Sequence, residues 1–193
     1  MSDTLRAFAF KGLCASRAVA DLRALGLLRE PSSALDAARD HDLFVPVPEQ
    51  IRAGSLQMQR CFRLLFVLEN LIRDFIATTF AEMETAGDDW FEKRASSPMK
   101  QKVADRRQKE ENNAWHTGRN QDPIYYLDFG DLALLFTNHW SVFKDLLPDQ
   151  HWVQSRMQEA ERSRNVIAHT NVLAPEEISR LEMYLRDWIR QLG

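Results

Sequence analysis

Hydrophobic positions recur at helical rather than strand spacing along most of this chain. Between residues 55 and 85, Met58, Cys61, Phe62, Leu65, Leu68, Ile72, Phe75, Ile76 and Phe80 fall three or four apart and form a broad apolar stripe, with Ser55 as the expected N-cap. From Cys61 to Leu68 Arg63 is the one polar residue, which predicts a central helix. Leu132, Leu135, Phe136, Trp140, Phe143 and Leu147 form a second stripe, with Asp131 as its expected cap and Pro148 as its end. Asp149 is placed to cap a third helix, whose apolar side carries Val153, Met157, Ala160, Ile167 and Ala168. A last helix opens on Pro175, with Glu176 and Glu177 in its first turn, and Ile178, Leu181, Leu185, Trp188, Ile189 and Leu192 line one side of it. Ser97 and Pro98 start a further helix, reaching to about Ala114, that is nearly devoid of apolar residues beyond Met99 and Val103. Trp90 and Phe91 are expected to anchor a short turn before it. No stretch alternates as a half-buried strand does.

The expected fold class is therefore all-α, about five main helices around a four-helix core. Residues 1–50 read as an N-terminal helical extension and connector, and residues 51–193 as the helical domain. In the extension, Val19, Leu22, Leu25 and Leu28 lie at helical spacing, interrupted by Gly26 and ended by Pro31. That run has the outline of a helix-turn-helix, but no helix with a basic face follows it, so docking on the main domain is the preferred reading. Pro46 and Pro48 mark the connector.

Composition narrows the function classes. The chain has 193 residues, 45% hydrophobic and 27% charged, as an ordinary globular protein does. A net charge of −3 and a pI near 6.0 argue against non-specific coating of nucleic acid, so any such contact is local. Cys14 and Cys61 form no C-x-x-C pair and indicate neither a zinc site nor a disulfide framework, which fits a reducing cytoplasm. The first residues lack the basic start and apolar core of a secretory signal. The most apolar run, Leu64 to Leu68, is too short to span a bilayer, and no membrane partner is expected.

One segment departs from the acidic average. From Lys93 to Arg119 eight Lys or Arg stand against three Asp or Glu. A solvated helix carrying pairs such as Asp105 with Lys109 is one reading, and a patch that tracks an RNA backbone is the other. Lys102, Arg106, Arg119 and His116 are the candidate RNA contacts. Trp115 is able to stack on a base, although a buried anchor is the commoner role, and His116 is a reserve proton-transfer group.

The densest candidate chemistry lies in Glu161-Arg162-Ser163-Arg164-Asn165-Val166-Ile167-Ala168-His169. In a helix Asn165 and His169 are i,i+4 neighbours with Glu161 one turn earlier, and Arg164 and His169 flank a groove-sized region. Arg offers phosphate a planar donor fork, and His exchanges protons near neutrality. The same two residues at a helix end also serve its last carbonyls and its dipole, and spacing alone favours that structural role, since two common polar residues make a weak motif. Glu69 and Arg73, i,i+4 in the favourable order, are either a structural ion pair or residues that orient Arg164 or His169. Glu161 is a third candidate for that orienting role.

Arg164-Asn165-Val166-Ile167-Ala168-His169 resembles the R-N-x-x-x-H form of the signature of the HEPN superfamily. The blocks Phe62 to Ile76 and Tyr126 to Leu132 resemble the HEPN domain at the C-terminus of a nuclear RNA-surveillance endonuclease and in standalone bacterial proteins. The resemblance runs from about residue 55 to the end. It implies a HEPN fold, motif helices meeting across a homodimer axis, and metal-independent RNA cleavage with Arg164, Asn165 and His169 as catalytic residues. It further implies 2′,3′-cyclic phosphate products, no cofactor, a defence or stress setting and room for a regulatory protein partner. A non-catalytic RNA-binding or protein-interaction module is the alternative. No dense carboxylate or His cluster offers a two-metal site. Asn171 stands where HEPN toxins with nucleotidyltransferase antitoxins carry a Tyr, so that mode of control is not implied. Asp128-Phe129-Gly130 matches the kinase magnesium tripeptide, but no Gly-rich loop or catalytic-loop Asp accompanies it.

Overall fold

The structure is a computed structural model that describes residues 43–84 and 89–192. The chain divides into two compact units, residues 1–52 and 53–193. The helix-turn-helix-like run from Arg17 to Leu28 and most of the extension lie outside the described residues.

Among the described residues seven α-helices and one 3-10 turn follow one another from Glu49 onward, with no strand. They are α1 (Glu49–Met83), α2 (Trp90–Arg94), α3 (Ser97–Glu111), the 3-10 turn Pro123–Tyr126, α4 (Phe129–Asn138), α5 (Trp140–Phe143), α6 (Gln150–Ala168) and α7 (Pro175–Leu192). The fold is all-α. Among the described residues no helix is long and apolar enough to cross a membrane.

Local chemistry accounts for most of the boundaries. Asp89, Asp122 and Asp149 cap α2, the 3-10 turn and α6 by accepting from Phe91, Ile124 and Trp152 N–H groups. The helix α1 begins at Glu49, directly after Pro48, so Ser55 sits inside it rather than at its N-cap. Ser96 precedes α3 as its N-cap, and α3 stops at Glu111 rather than near Ala114. Asp131 is not the cap of α4 but its third residue; Asp128 is the cap, and the Asp131 carboxylate accepts the Asp128 N–H at 3.0 Å.

The expected single helix through Leu147 is broken at His139, where φ is −118° and ψ is 30°. Its Nε2 lies 2.9 Å from the carbonyl of Arg94, the last residue of α2, and its ring meets Phe80 edge-on at 5.3 Å. That contact occupies a carbonyl that α2 leaves without a helical partner.

The main core joins every element. Leu68, Ile72, Ile76 and Phe80 of α1 meet Leu132, Leu135 and Phe136 of α4, Val153, Met157 and Ala160 of α6, and Trp188 of α7. Aromatic pairs tie it laterally: Phe136 lies 4.8 Å from Phe143, Phe80 5.2 Å from Phe143, and Trp152 5.2 Å from Trp188. Such pairs add about 0.5–1.5 kcal/mol each beyond burial. A second cluster of Cys61, Leu65, Leu173, Ile178 and Leu181 fixes the end of α6 through half-buried Val166 and Ile167. Ile189, expected inward, is 52% exposed.

The stripe of α1 is narrower than its sequence suggests. Cys61, Leu65 and Leu68 are buried, but Phe62, Phe66 and Val67 are 61%, 57% and 41% exposed. One side of this helix is therefore apolar and open to solvent.

Candidate functional site

The motif occupies the C-terminal end of α6. Arg164 and Asn165 lie in the helix, whereas His169 is its C-cap, at φ −95° and ψ 18°. Thr170 follows at φ 58°. The Thr170 N–H reaches the Ile167 carbonyl at 2.9 Å and the Asn171 N–H the Val166 carbonyl at 3.1 Å, the Schellman pattern. A left-handed residue other than glycine costs about 1–2 kcal/mol. Two bonds to the His169 carbonyl offset that cost, from the Thr170 hydroxyl at 2.7 Å and Asn171 Nδ2 at 3.1 Å. The direct link between Asn165 and His169 is the backbone bond of 3.2 Å, so the expected shared helical face gives way to a histidine turned off the helix end. Ala168, expected on the apolar side, is exposed.

Three concavities adjoin one another around this end. The first, of about 680 Å³, is lined by Phe62, Phe66, Glu69, Arg73, Tyr125 and Arg164 among others. The second, of about 260 Å³, is lined by Arg106, Asp128, Phe129, Glu161, Arg164 and Asn165. The third, of about 650 Å³, includes Arg106, Lys109, Glu110, His116 and Arg119. Arg164 belongs to the first two, and Arg106 links the second to the third. Lys102 and His169 line none of the three; His169 stands exposed.

Charge pairing separates Arg164 from its neighbours. Arg73 bonds Glu69 and the Leu127 carbonyl, the latter at 3.2 Å, and lies over the Tyr125 ring. Arg106 grips Asp128 with both terminal nitrogens, at 3.1 and 2.8 Å. Lys102 bonds both Asp131 oxygens, at 2.8 and 2.6 Å. Arg119 pairs with Glu110. Arg164 is exposed and meets no carboxylate within ion-pair distance among the described residues; its Nη1 donates to Asn165 Oδ1 at 3.3 Å.

Burial would raise the Asp128 carboxyl, but the Arg106 hydrogen bonds and the charges of Arg106, Lys102 and Arg164 outweigh it and hold the group below its ordinary range. The pull of Arg164 on Asp128 acts across open space rather than through a bond. A phosphate entering beside Arg164 would take up a guanidinium whose donors are mostly uncommitted.

The basic segment is less available than its sequence implies. Lys102, Arg106 and Arg119 are each neutralised by a carboxylate, and Asp105 accepts from Gln101 at 2.8 Å. Trp115, for which burial was the commoner expectation, is 84% exposed. Among the described residues no group of three or more His, Cys, Asp or Glu side chains could hold a metal ion.

Sequence reasoning overlooked Asp128 as a charge partner and placed Phe62 in the inward stripe, where it is 61% exposed. The α3 partners of Asp128 lie more than twenty positions away, beyond any local pattern. The open aromatics on α1 carry the same periodicity as buried ones.

These features define a helical domain with an arginine that meets no carboxylate among the described residues, an amide and a histidine gathered at one helix end beside open concavities. The family described as Swt1-like HEPN matches residues 63–193, and the chain belongs to the HEPN superfamily. No curated protein and no solved structure matches it.

Proposed function

We propose that this protein is a metal-independent endoribonuclease of the cytoplasm, working as a two-fold dimer with Arg164, Asn165 and His169 in its cleft. The observation that carries the reading is Arg164: an exposed guanidinium without a carboxylate partner among the described residues, where Arg73 and Arg106 beside it are paired, five residues before a histidine at the helix end. Such a group suits a phosphate that arrives with the substrate.

His169 removes the proton from a ribose 2′-hydroxyl, and the 2′-oxygen attacks the adjacent phosphorus. Arg164 stabilises the charge of the phosphorane, and Asn165 orients the phosphate. The bond to the 5′-oxygen breaks, a second histidine protonates that oxygen, and the products carry a 2′,3′-cyclic phosphate and a 5′-hydroxyl. One chain contributes one titrating motif group, so the partner copy's histidine most simply fills the acid role. The exposed Phe62 and Phe66 line the same concavity as Arg164 and supply an apolar surface for a second copy beside the motif. The requirement for a 2′-hydroxyl makes DNA a poor substrate. Glu69, Arg73 and Glu161 border Arg164 and shape the space it reaches into. A role in defence or stress, under a regulatory protein, is compatible with such an activity.

One observation favours a non-catalytic RNA-binding module instead: among the described residues none hydrogen-bonds the His169 ring, so none of them sets its tautomer. Cleavage and affinity measured together on single-stranded RNA in EDTA decide between them. Arg164→Lys keeps the charge and loses the fork, so the cleavage rate falls far more than the affinity. Equal losses in rate and affinity make Arg164 a mere anchor and favour the module.

A further inference from the structure

We infer that Trp115 is a stacking platform for one base of single-stranded RNA, set beside the cleavage site by the loop that follows α3; the inference rests on the RNA reading above. Of the five tryptophans, Trp188 is buried and Trp90, Trp140 and Trp152 are partly buried, while Trp115 is 84% exposed. An indole is the side chain with the most to gain from cover.

The loop that presents it is built. The His116 N–H donates to the Asn113 carbonyl at 2.9 Å, and the Arg119 N–H to Glu110 at 3.1 Å. The Tyr126 hydroxyl donates to the same Glu110 carboxylate at 3.0 Å. Gly118 eases this closure, because a Cβ there would lie 3.0 Å from Glu110 Oε2 and the carboxylate would have to give way. Trp115 stands edge-on to His116 at 5.5 Å, and His116 lines the third concavity with Lys109 and Arg119. Lys109 has no ion pair among the described residues, which leaves one uncommitted cation for a phosphate. Arg106 joins this concavity to that of Arg164 and Asn165, so a strand laid across the two runs from His116, against which Trp115 stands, to the motif.

A stacked base has a signature that charge contacts lack: its loss weakens binding without changing the salt dependence. The test is fluorescence anisotropy of the full-length protein with a labelled oligoribonucleotide carrying a 2′-deoxy block against cleavage. Expected for Trp115→Ala is an affinity drop of about 10-fold, with the slope against log salt unchanged, and for Trp115→Phe most of the wild-type affinity. Trp115→Ala should cost nothing on an oligonucleotide of abasic sites. Wild-type binding undiminished by Trp115→Ala, or an equal loss on the abasic strand, overturns the platform while leaving the RNA reading intact. No RNA binding by the wild type overturns both, and points this tryptophan toward a protein partner.

Discussion

Replacing Glu69 by alanine leaves a cation stranded in the protein. Arg73 is 9% exposed, and its guanidinium is held by Glu69, by the Leu127 carbonyl at 3.2 Å and by the Tyr125 ring, 5.3 Å away; its Nε has no partner. Breaking a buried pair from one side costs about 3–5 kcal/mol. The Glu69 side chain is 20% exposed at the rim of the concavity, which places the loss near the lower end, at about 3 kcal/mol. In a chain of this length that lowers the melting temperature by about 6–12 °C. Arg73→Met removes the charge instead, leaves Glu69 within reach of water and strands one carbonyl, at about 1–2 kcal/mol. The double variant Glu69→Leu/Arg73→Met should recover most of the difference. Urea unfolding of the four proteins measures the cycle. A Glu69→Ala loss below 1 kcal/mol, or one no greater than that of Arg73→Met, refutes the claim that burial of Arg73 makes this pair structural.

Three further outcomes follow from the geometry. Phe62→Glu with Phe66→Glu should dissociate the dimer at micromolar concentration, read by sedimentation, while leaving the circular dichroism spectrum unchanged; an intact dimer places the interface elsewhere. Thr170→Asn relieves the left-handed strain at φ 58° and should raise stability by about 1 kcal/mol, a gain that thermal unfolding detects; a loss instead means the hydroxyl bond to the His169 carbonyl outweighs the strain. Asp128 has its folded pKa depressed, so its contribution is fully present above the unfolded carboxylate value of about 4 and is lost as pH falls through the lower folded value. Asp128→Asn should therefore flatten the fall of the urea midpoint below about pH 4, and an unchanged acid limb would falsify the assignment.

What the sequence made legible was local. Asp149 accepts from the N–H of Trp152, three residues on, and caps the helix where the sequence placed it. The buried row Leu65, Leu68, Ile72, Ile76 and Phe80 follows from helical period alone. Period says nothing of which side another surface covers, so Phe62 was indistinguishable from core. The break at His139 carries no Gly or Pro, because its cause is a carbonyl forty-five residues earlier. The pairings of Lys102 and Arg106 with Asp131 and Asp128 likewise join separate elements, which turned an apparent basic patch into a largely neutralised one. The motif itself was visible as a resemblance. That Arg164 meets no carboxylate among the described residues became visible only when its surroundings were assembled.

The central claim is that His169 performs proton transfer in RNA cleavage. Single-turnover cleavage of an oligoribonucleotide in EDTA by the wild type and by His169→Ala tests it directly, with the product ends identified and the unfolding midpoint of each protein measured alongside. The account predicts cyclic-phosphate ends from the wild type and a rate at least about 100-fold lower for the variant at unchanged stability. Wild-type-rate cleavage by His169→Ala, or a wild type that cleaves only when a divalent metal is restored, would contradict it.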